Sequence, residues 1–372
     1  MRNSVRLGAF ALVMALCAGF VSQAHAQSVT PDQEYFRALT SAQRITPTSS
    51  FGDQISLRDG ALAFRNTDIE LPGIGPTIRI TRSLKIAGRS SWYYETSGNR
   101  FAEWELELPR LKTIASASTN VSSTSPTGWQ VEGMTTADKN ARCTRFAGPD
   151  DVDILLNGSY YTTYYLSDWW AGYQFVDDQG QEETVLGVAG PMSSVARTSS
   201  NWVFSCLPAT SNGQPGEGFQ AIAPDGTKYW LDNLVYQTAD SYGGDMAPRN
   251  LKRTYASMLV TRVQDRFGNW VTYHYTSGLV DSIDASDGRH VGLTYTNGII
   301  SAVTVGSGTT ARTWQYQYAT TTQNSASYTT LSGVTQPDGS TWQYNLGNLS
   351  FLRFPTDGSG NCTGSLTCVR NL

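Results

Sequence analysis

Two consecutive stretches decide the fold: residues 263–275 read VQDRFGNWVTYHY, and residues 283–295 read IDASDGRHVGLTY. Their turn glycines, Gly268 and Gly288, are 20 residues apart, and so are their final tyrosines. A fixed period of this kind indicates one supersecondary unit that is stacked along the chain. The unit combines a few β-forming residues, an Asp-Gly or Phe-Gly-Asn turn and an alternating run that ends in tyrosine.

Each unit predicts a β-hairpin, because Asp-Gly supplies the positive φ of a tight turn and the flanking residues suit pleated strands. Further copies occupy residues 221–230, residues 299–303 with 312–318, and residues 331–344. The predicted turn residues are Asp225, Gly226, Phe267, Gly268, Asp287, Gly288, Asp338 and Gly339. The repeat tyrosines are Tyr275, Tyr295, Tyr318 and Tyr344.

At these residues the chain resembles the RHS/YD-repeat family, and the resemblance covers about residues 218–346. Residues 60–62 (GAL) and 68–84 (DIELPGIGPTIRITRSL) look like the segment that precedes the repeat region in many such proteins. The resemblance implies that the hairpins wind into a spiral β-sheet, a hollow shell that often surrounds a C-terminal toxin. The period by itself indicates only stacked hairpins.

The expected fold is all-β. Short strands separated by Gly, Asn, Asp and Pro predict a sandwich-like or irregular sheet domain at residues 51–255, followed by hairpin repeats at 256–346. A polar segment (27–50) precedes the first domain, and a Gly/Ser-rich tail (347–372) follows the repeats. Residues 114–127 are rich in Ser and Thr and predict an exposed loop.

The first 26 residues read as a secretory signal peptide. Two arginines precede an uncharged apolar run, and Ala24-His25-Ala26 forms a small-residue cleavage site. The apolar run is shorter than the roughly 20 residues that a membrane span needs. We therefore expect cleavage after Ala26, no transmembrane span in the mature chain, and a final location in the periplasm, at the cell surface or outside the cell. The alternative is an uncleaved anchor.

The charge balance bears on possible partners. Removing Arg2 and Arg6 with the signal leaves 25 of the 27 basic residues against 31 acidic ones, a net charge of −6. A mildly acidic surface gives no reason to expect nucleic acid or an anionic membrane as a partner.

Four cysteines follow the signal peptide, and an even number in an exported chain favours disulfides. Three pairings are open. We prefer Cys143 with Cys206, which lie in one predicted domain, and Cys362 with Cys368, which close a short loop. Zinc is the rival interpretation, but the sequence has no Cys-x-x-Cys and the mature chain has two histidines.

The sequence offers few candidates for catalysis, and no cofactor is expected. It contains no Gly-x-Ser-x-Gly, Walker, dinucleotide or His-Glu-x-x-His motif. His274 and His290 both lie in repeats and are expected to be structural. A glycosidase needs two carboxylates, yet the acidic pair at residues 177–178 lies in a predicted hairpin turn. The densest aromatic run includes Tyr164, Tyr165, Trp169 and Trp170, which predict either sheet packing or a ligand-binding surface.

The sequence therefore predicts a non-enzymatic, exported scaffold, the N-terminal part of a larger RHS protein of the toxin-delivery type. The expected partners are further repeats in cis or trans, a protein cargo or a cell-surface glycan. Toxin activity is not carried over, because neither the family's Asp-Pro-x-Gly-Arg motif nor a variable effector occurs in this sequence. Two alternatives stay open, a carbohydrate-binding or adhesion module and a glycosidase-like enzyme.

Overall fold

The computed structural model of the chain describes residues 53–55, 62–86, 99–116, 121–122, 129, 141–146, 148–149, 151–156, 159–170, 172–187, 194–242, 251–323, 326–344, 350–353 and 368–371. The predicted signal peptide and the polar segment at residues 27–50 lie outside these residues, so both stay predictions.

Almost every described element is a strand, which confirms the all-β class; the exceptions are helix α1 (Leu166–Trp169) and a 3-10 turn (Gly308–Thr310). The strands are β1 (Asp53–Ile55), β2 (Leu62–Leu71), β3 (Ile78–Ile86), β4 (Asn99–Phe101), β5 (Trp104–Leu106), β6 (Arg110–Ser116), β7 (Val121–Ser122), β8 (Val152–Leu156), β9 (Ser159–Tyr164), β10 (Tyr173–Val176), β11 (Glu182–Gly187), β12 (Ala196–Arg197), β13 (Val203–Leu207), β14 (Gly218–Ile222), β15 (Lys228–Tyr242), β16 (Leu251–Gln264), β17 (Trp270–Thr276), β18 (Leu279–Ala285), β19 (His290–Thr296), β20 (Ile299–Val305), β21 (Arg312–Gln323), β22 (Ala326–Thr335), β23 (Thr341–Gln343), β24 (Ser350–Arg353) and β25 (Cys368–Asn371).

Eight of these strands close into an antiparallel barrel in the order β15, β14, β13, β12, β11, β10, β6 and β16, and β16 pairs again with β15. The ladder between β15 and β16 runs from Lys228 opposite Gln264 to Tyr242 opposite Leu251. A sandwich-like or irregular sheet is predicted from the sequence here, whereas the structure has a closed barrel. The local pattern predicts strands but carries no information about which distant strands pair.

Strand β16 joins the barrel to the repeats. One of its edges pairs with β15, and the other pairs with β6 through residues 253–259 and with β17 through residues 262–264. The strand therefore crosses the predicted domain boundary between residues 255 and 256, and the predicted domain limits stay a prediction. The exposed loop predicted at residues 114–127 is wrong where the structure describes that segment, because residues 114–116 are buried in β6 and residues 121–122 form β7.

Strands β17 to β23 extend the sheet beyond β16 as a series of hairpins. The two 20-residue units match in detail: β18 and β20 have the same order of buried and half-buried residues, and a β-bulge precedes Tyr275 and Tyr295 alike. In β17 and β19 the buried residues alternate with less buried ones, as a period of two predicts. The predicted hairpins are therefore present.

A second sheet, in the order β1, β2, β3, β5 and β4, packs against the core side of the repeats. Ile80 of β3 and Trp104 of β5 are almost fully buried, and they share one hydrophobic core with Ile283 of β18 and Val303 of β20. The segment at residues 68–84 that precedes the repeats in sequence thus lies against them in space.

Smaller sheets complete the described fold. Strands β7, β8 and β9 form one, and β24 pairs with β25. Ile154, Trp169 and Tyr255 belong to a second hydrophobic cluster, which joins β8, α1 and β16.

A disulfide joins Cys143 to Cys206, the pairing preferred from the sequence, with their Cα atoms 5.4 Å apart. It connects the short turn at residues 141–146 to β13. Cys362 lies outside the described residues, so its pairing with Cys368 stays a prediction.

Candidate functional site

The predicted turn residues lie at one end of the repeat strands. Gly226, Gly268, Gly288 and Gly339 have φ values of +88°, +92°, +87° and +84°, a conformation that glycine adopts without steric cost. In each turn an aspartate side chain accepts the backbone N–H two residues later; the acceptors are Asp225, Asp265, Asp287 and Asp338. These residues stabilise the hairpin turns, so their role is structural.

We expect Gly288→Val to lower the free energy of unfolding by about 1–3 kcal/mol, because a β-branched residue strongly resists positive φ. A Cβ at this position would meet nothing within 4 Å, so the cost arises from the backbone conformation. The control is His290→Ala, which removes an exposed contact to Asp284 and should cost about 1 kcal/mol or less. Urea denaturation checks this, and equal losses in the two variants would contradict it.

Three repeat tyrosines bind the backbone of an earlier strand. The Tyr275 hydroxyl donates to the Val260 carbonyl at 2.6 Å, and the Tyr295 hydroxyl donates to the Val280 carbonyl at 2.8 Å. The Tyr318 hydroxyl donates in the same way to Ile300. Because each partner is a carbonyl on another hairpin strand, the tyrosine that ends each unit ties that unit to its predecessor. Burial raises the pKa of Tyr275, so the hydroxyl stays protonated.

Tyr344, the fourth repeat tyrosine, has different partners: its hydroxyl accepts hydrogen bonds from Arg82 at 2.5 Å and from Asn66 at 3.2 Å. Arg82 is fully buried and also binds both carboxylate oxygens of Asp68, at 2.7 and 3.1 Å. Its guanidinium carbon lies 4.8 Å from the ring centroids of Trp104 and Tyr344. Tyr316 donates a further hydrogen bond to Asp68. We call these five residues the Arg82 cluster: Asp68, Arg82, Trp104, Tyr316 and Tyr344.

The Arg82 cluster connects the five-stranded sheet to the last repeats. Burial would lower the pKa of Arg82, but the charge of Asp68 and the hydrogen bonds to it outweigh burial and raise that pKa. The Arg82 guanidinium therefore stays charged in the core, where removing one partner of a buried ion pair is costly. This cluster could not be found from the sequence because its members lie far apart in the chain; Arg82 and Tyr344 are 262 positions apart.

Glu103 makes a second connection between the same two sheets. It lies between β4 and β5, and its carboxylate accepts the Leu331 backbone N–H of β22 at 2.9 Å. Burial raises the pKa of Glu103 to about 7, although the hydrogen bond from Leu331 and the charge of Arg82 act in the opposite direction. A carboxyl group that titrates near neutral pH thus lies at a contact between sheets.

The loop between β2 and β3 contacts the repeat turns. The guanidinium of Arg289 donates to the Leu71 carbonyl and, at 2.9 Å, to the Pro76 carbonyl, while Asp287 accepts the Ile74 N–H at 3.2 Å. A Cβ at Gly73 would lie 2.2 Å from the Asp287 carboxylate. A larger residue at this close approach would displace the Asp287 and Arg289 side chains.

The acidic pair at residues 177–178 forms a turn, as predicted. One Asp177 oxygen accepts the backbone N–H groups of Gln179 and Gln181, both at 2.8 Å. Burial raises the pKa of Asp177 to about 6. Asp178 pairs with Arg79 at 2.9 Å, so the two carboxylates have separate, structural partners.

His274 and His290 share one carboxylate, a contact that could not be predicted from their positions in the sequence. Asp284 lies 3.1 Å from Nε2 of His274 and 2.7 Å from Nδ1 of His290. All three side chains are between 40% and 49% exposed and lie on the side of the repeat sheet away from the core. The signal in the sequence is that each histidine lies on a strand that follows a predicted turn.

The four predicted aromatic residues do not form one exposed surface. Trp169 is fully buried, and Trp170 donates from its indole to Thr113 at 2.9 Å. Tyr164 is half-buried against the second cluster, whereas Tyr165 is 60% exposed.

No model of a known protein family and no curated protein matches this chain. In the described part of the chain, no group of three or more His, Cys, Asp or Glu residues is arranged to hold a metal ion. None of the described helices has the length and apolar character of a membrane-spanning segment.

Proposed function

We propose that this chain is an exported, non-enzymatic β-scaffold of the RHS/YD-repeat kind, which binds further repeat strands by β-strand addition. Three features support the proposal: the 20-residue hairpin period, the tyrosine bonds between successive units, and the packing of residues 68–84 against the repeats. In this proposal the repeat sheet is part of a longer spiral shell. The shell encloses or presents a partner rather than transforming a substrate.

The observation that carries the proposal is the outward edge of β23. Tyr344 donates its backbone N–H to Ser332, and Gln336 donates to Ser340 across the same turn. Hydrogen-bonded pairs alternate along an antiparallel ladder, so the N–H groups of Thr341 and Gln343 point away from β22. Among the described residues, no strand pairs with this side of β23. Such an edge binds another strand readily.

The disulfide between Cys143 and Cys206 supports export, because disulfides persist in oxidising compartments. The basic and apolar start of the sequence points the same way.

The test uses the second copy of the chain as the added strand. We expect the purified protein to self-associate reversibly in sedimentation velocity, since each copy offers the same edge. Gln343→Pro removes one outward N–H and should raise the dissociation constant about tenfold, the effect of losing about 1.4 kcal/mol.

The matched control is Gln343→Ala, which keeps the backbone N–H and should associate like the unchanged protein. Proline should leave the hydrogen bonds to β22 intact, because Gln343 does not donate to that strand. A protein that stays monomeric at high concentration, or two variants that behave alike, would contradict strand addition.

A further inference from the structure

A cavity of about 30 Å³ lies between the five-stranded sheet, the barrel and the first repeats. Its walls are mainly apolar, and Leu106, Leu108 and Val280 are among the lining residues. Two arginines, Arg100 and Arg110, also line it. The volume suits one or two water molecules or a group of similar size, so the site takes only a small ligand or the end of a larger one.

The two arginines of the cavity differ in their partners. Arg110 binds the Glu105 carboxylate and the Leu108 carbonyl. Arg100 is half-buried, and no hydrogen bond or ion pair joins it to another described residue. The tyrosine hydroxyls beside it donate elsewhere, since those of Tyr275 and Tyr295 are directed to backbone carbonyls.

Other buried or half-buried arginines have hydrogen-bonding partners: Arg142, for example, binds the backbone carbonyls of Pro215 and Glu217, and three further arginines bind carboxylates. Arg82 binds Asp68, Arg65 binds Glu107, and Arg79 binds Asp178 and Glu70. Removing a cation from water without a counter-charge has a substantial free-energy cost. Burial accordingly lowers the pKa of Arg100, opposed only by the nearby Tyr295. An anion in the cavity would offset this cost.

We propose that Arg100 and the cavity that it lines bind a carboxylate group. A planar guanidinium matches a carboxylate with two parallel hydrogen bonds, and the apolar walls suit the short hydrocarbon part next to it. The carboxylate belongs either to a free short-chain acid or to the end of a peptide. This inference involves no residue of β23, so it is independent of the proposed strand addition.

The experiment measures binding to the full chain by isothermal titration calorimetry at pH 7 and constant ionic strength. The probes are sodium formate, sodium acetate and acetyl-Gly-Gly, with the carboxamide of acetyl-Gly-Gly as the uncharged counterpart. We expect a dissociation constant on the order of millimolar for at least one carboxylate and no saturable binding of the carboxamide. Tighter binding of the peptide than of acetate would identify a chain end as the source, and the reverse order would identify a free acid.

Arg100→Gln should weaken carboxylate binding at least about tenfold, and Arg100→Lys should have an intermediate effect because it keeps the charge but loses the planar geometry. The control is Arg312→Gln, which changes an arginine that stacks on Trp314 away from the cavity and should bind normally.

Thermal unfolding provides a second readout. Without added carboxylate, Arg100→Gln should unfold at the same temperature as the unchanged protein or higher, because it removes a charge that lacks a partner. Carboxylate should raise the unfolding temperature of the unchanged protein only. No saturable binding of any carboxylate, or equal binding by Arg100→Gln, would overturn the proposal.

Discussion

Replacing Arg82 with methionine is expected to lower the free energy of unfolding by about 3–5 kcal/mol, the usual cost of removing one partner of a buried ion pair. The side chains of Arg82 and Asp68 are 0% and 8% exposed. Methionine fills much of the arginine volume but leaves the Asp68 carboxylate in the core without its cation. It also ends the hydrogen bond that Tyr344 accepts from Arg82.

Urea denaturation with two further variants separates the lost charge from lost packing. The double variant Arg82→Met with Asp68→Leu should recover most of the loss, because replacing both partners by apolar groups is often close to neutral. The control is Arg79→Met on the same strand, where the partners Glu70 and Asp178 are 56% and 36% exposed. It should cost about 1 kcal/mol or less. If the Arg82 and Arg79 variants lose equal stability, the Arg82 cluster does not hold the two sheets together.

The hairpins could be predicted from the sequence because their determinants are local. Gly268 and Gly288 are the fourth residues of short turns, each donating its N–H to the carbonyl three residues earlier, and each aspartate that stabilises such a turn is one or a few positions away. A tyrosine at the end of a strand could be recognised as part of the repeat. Its acceptor could not, because Val260 and Val280 contribute backbone carbonyls, which every residue has.

The barrel could not be predicted, because its closure depends on two pairings of β6 with strands distant in sequence, β10 and β16. Strand β6 pairs with β16 by placing Leu111 opposite Met258 and Ile114 opposite Tyr255. The alternation of polar and apolar residues in β6 does not indicate that it pairs with β16, and the same holds for β16. The Ser and Thr content after residue 114 favours a loop, yet burial of Ile114 and Ala115 against β16 overrides that tendency.

The Arg82 cluster also escapes prediction for a specific reason. Asp68 lies at a β-bulge, where the register of β2 with β3 shifts between Thr67 and Ile69. A bulge re-aims a side chain, so both Asp68 and the adjacent Ile69 face buried surroundings. In a strand that alternates strictly between core and solvent, one of these two adjacent side chains would face solvent. The two charges of a buried pair thus resemble ordinary surface residues in the sequence.

The second large effect is a dependence of stability on pH that arises from Glu103. Its pKa in the folded protein is about 7, against an ordinary value of 4.5. Between these values the folded protein holds a proton that the unfolded chain has lost, so the stability contributed by Glu103 is complete below pH 4.5 and falls as the pH rises to 7. The size is about 3 kcal/mol, from roughly 1.4 kcal/mol per pH unit.

Glu103→Gln should remove this dependence, because a neutral amide keeps an oxygen that accepts the Leu331 N–H but does not ionise. The variant should therefore be more stable than the unchanged protein at pH 7 and similar to it at pH 4.5, as measured by urea denaturation at both values. Asp177→Asn is the control, since burial also raises the pKa of Asp177, to about 6, and that variant should remove a separate, smaller part of the slope. If the free energy of unfolding of Glu103→Gln falls between pH 4.5 and 7 as steeply as that of the unchanged protein, ionisation of Glu103 does not destabilise the fold. The bond from Glu103 to Leu331 then does not make the contact between the two sheets sensitive to pH.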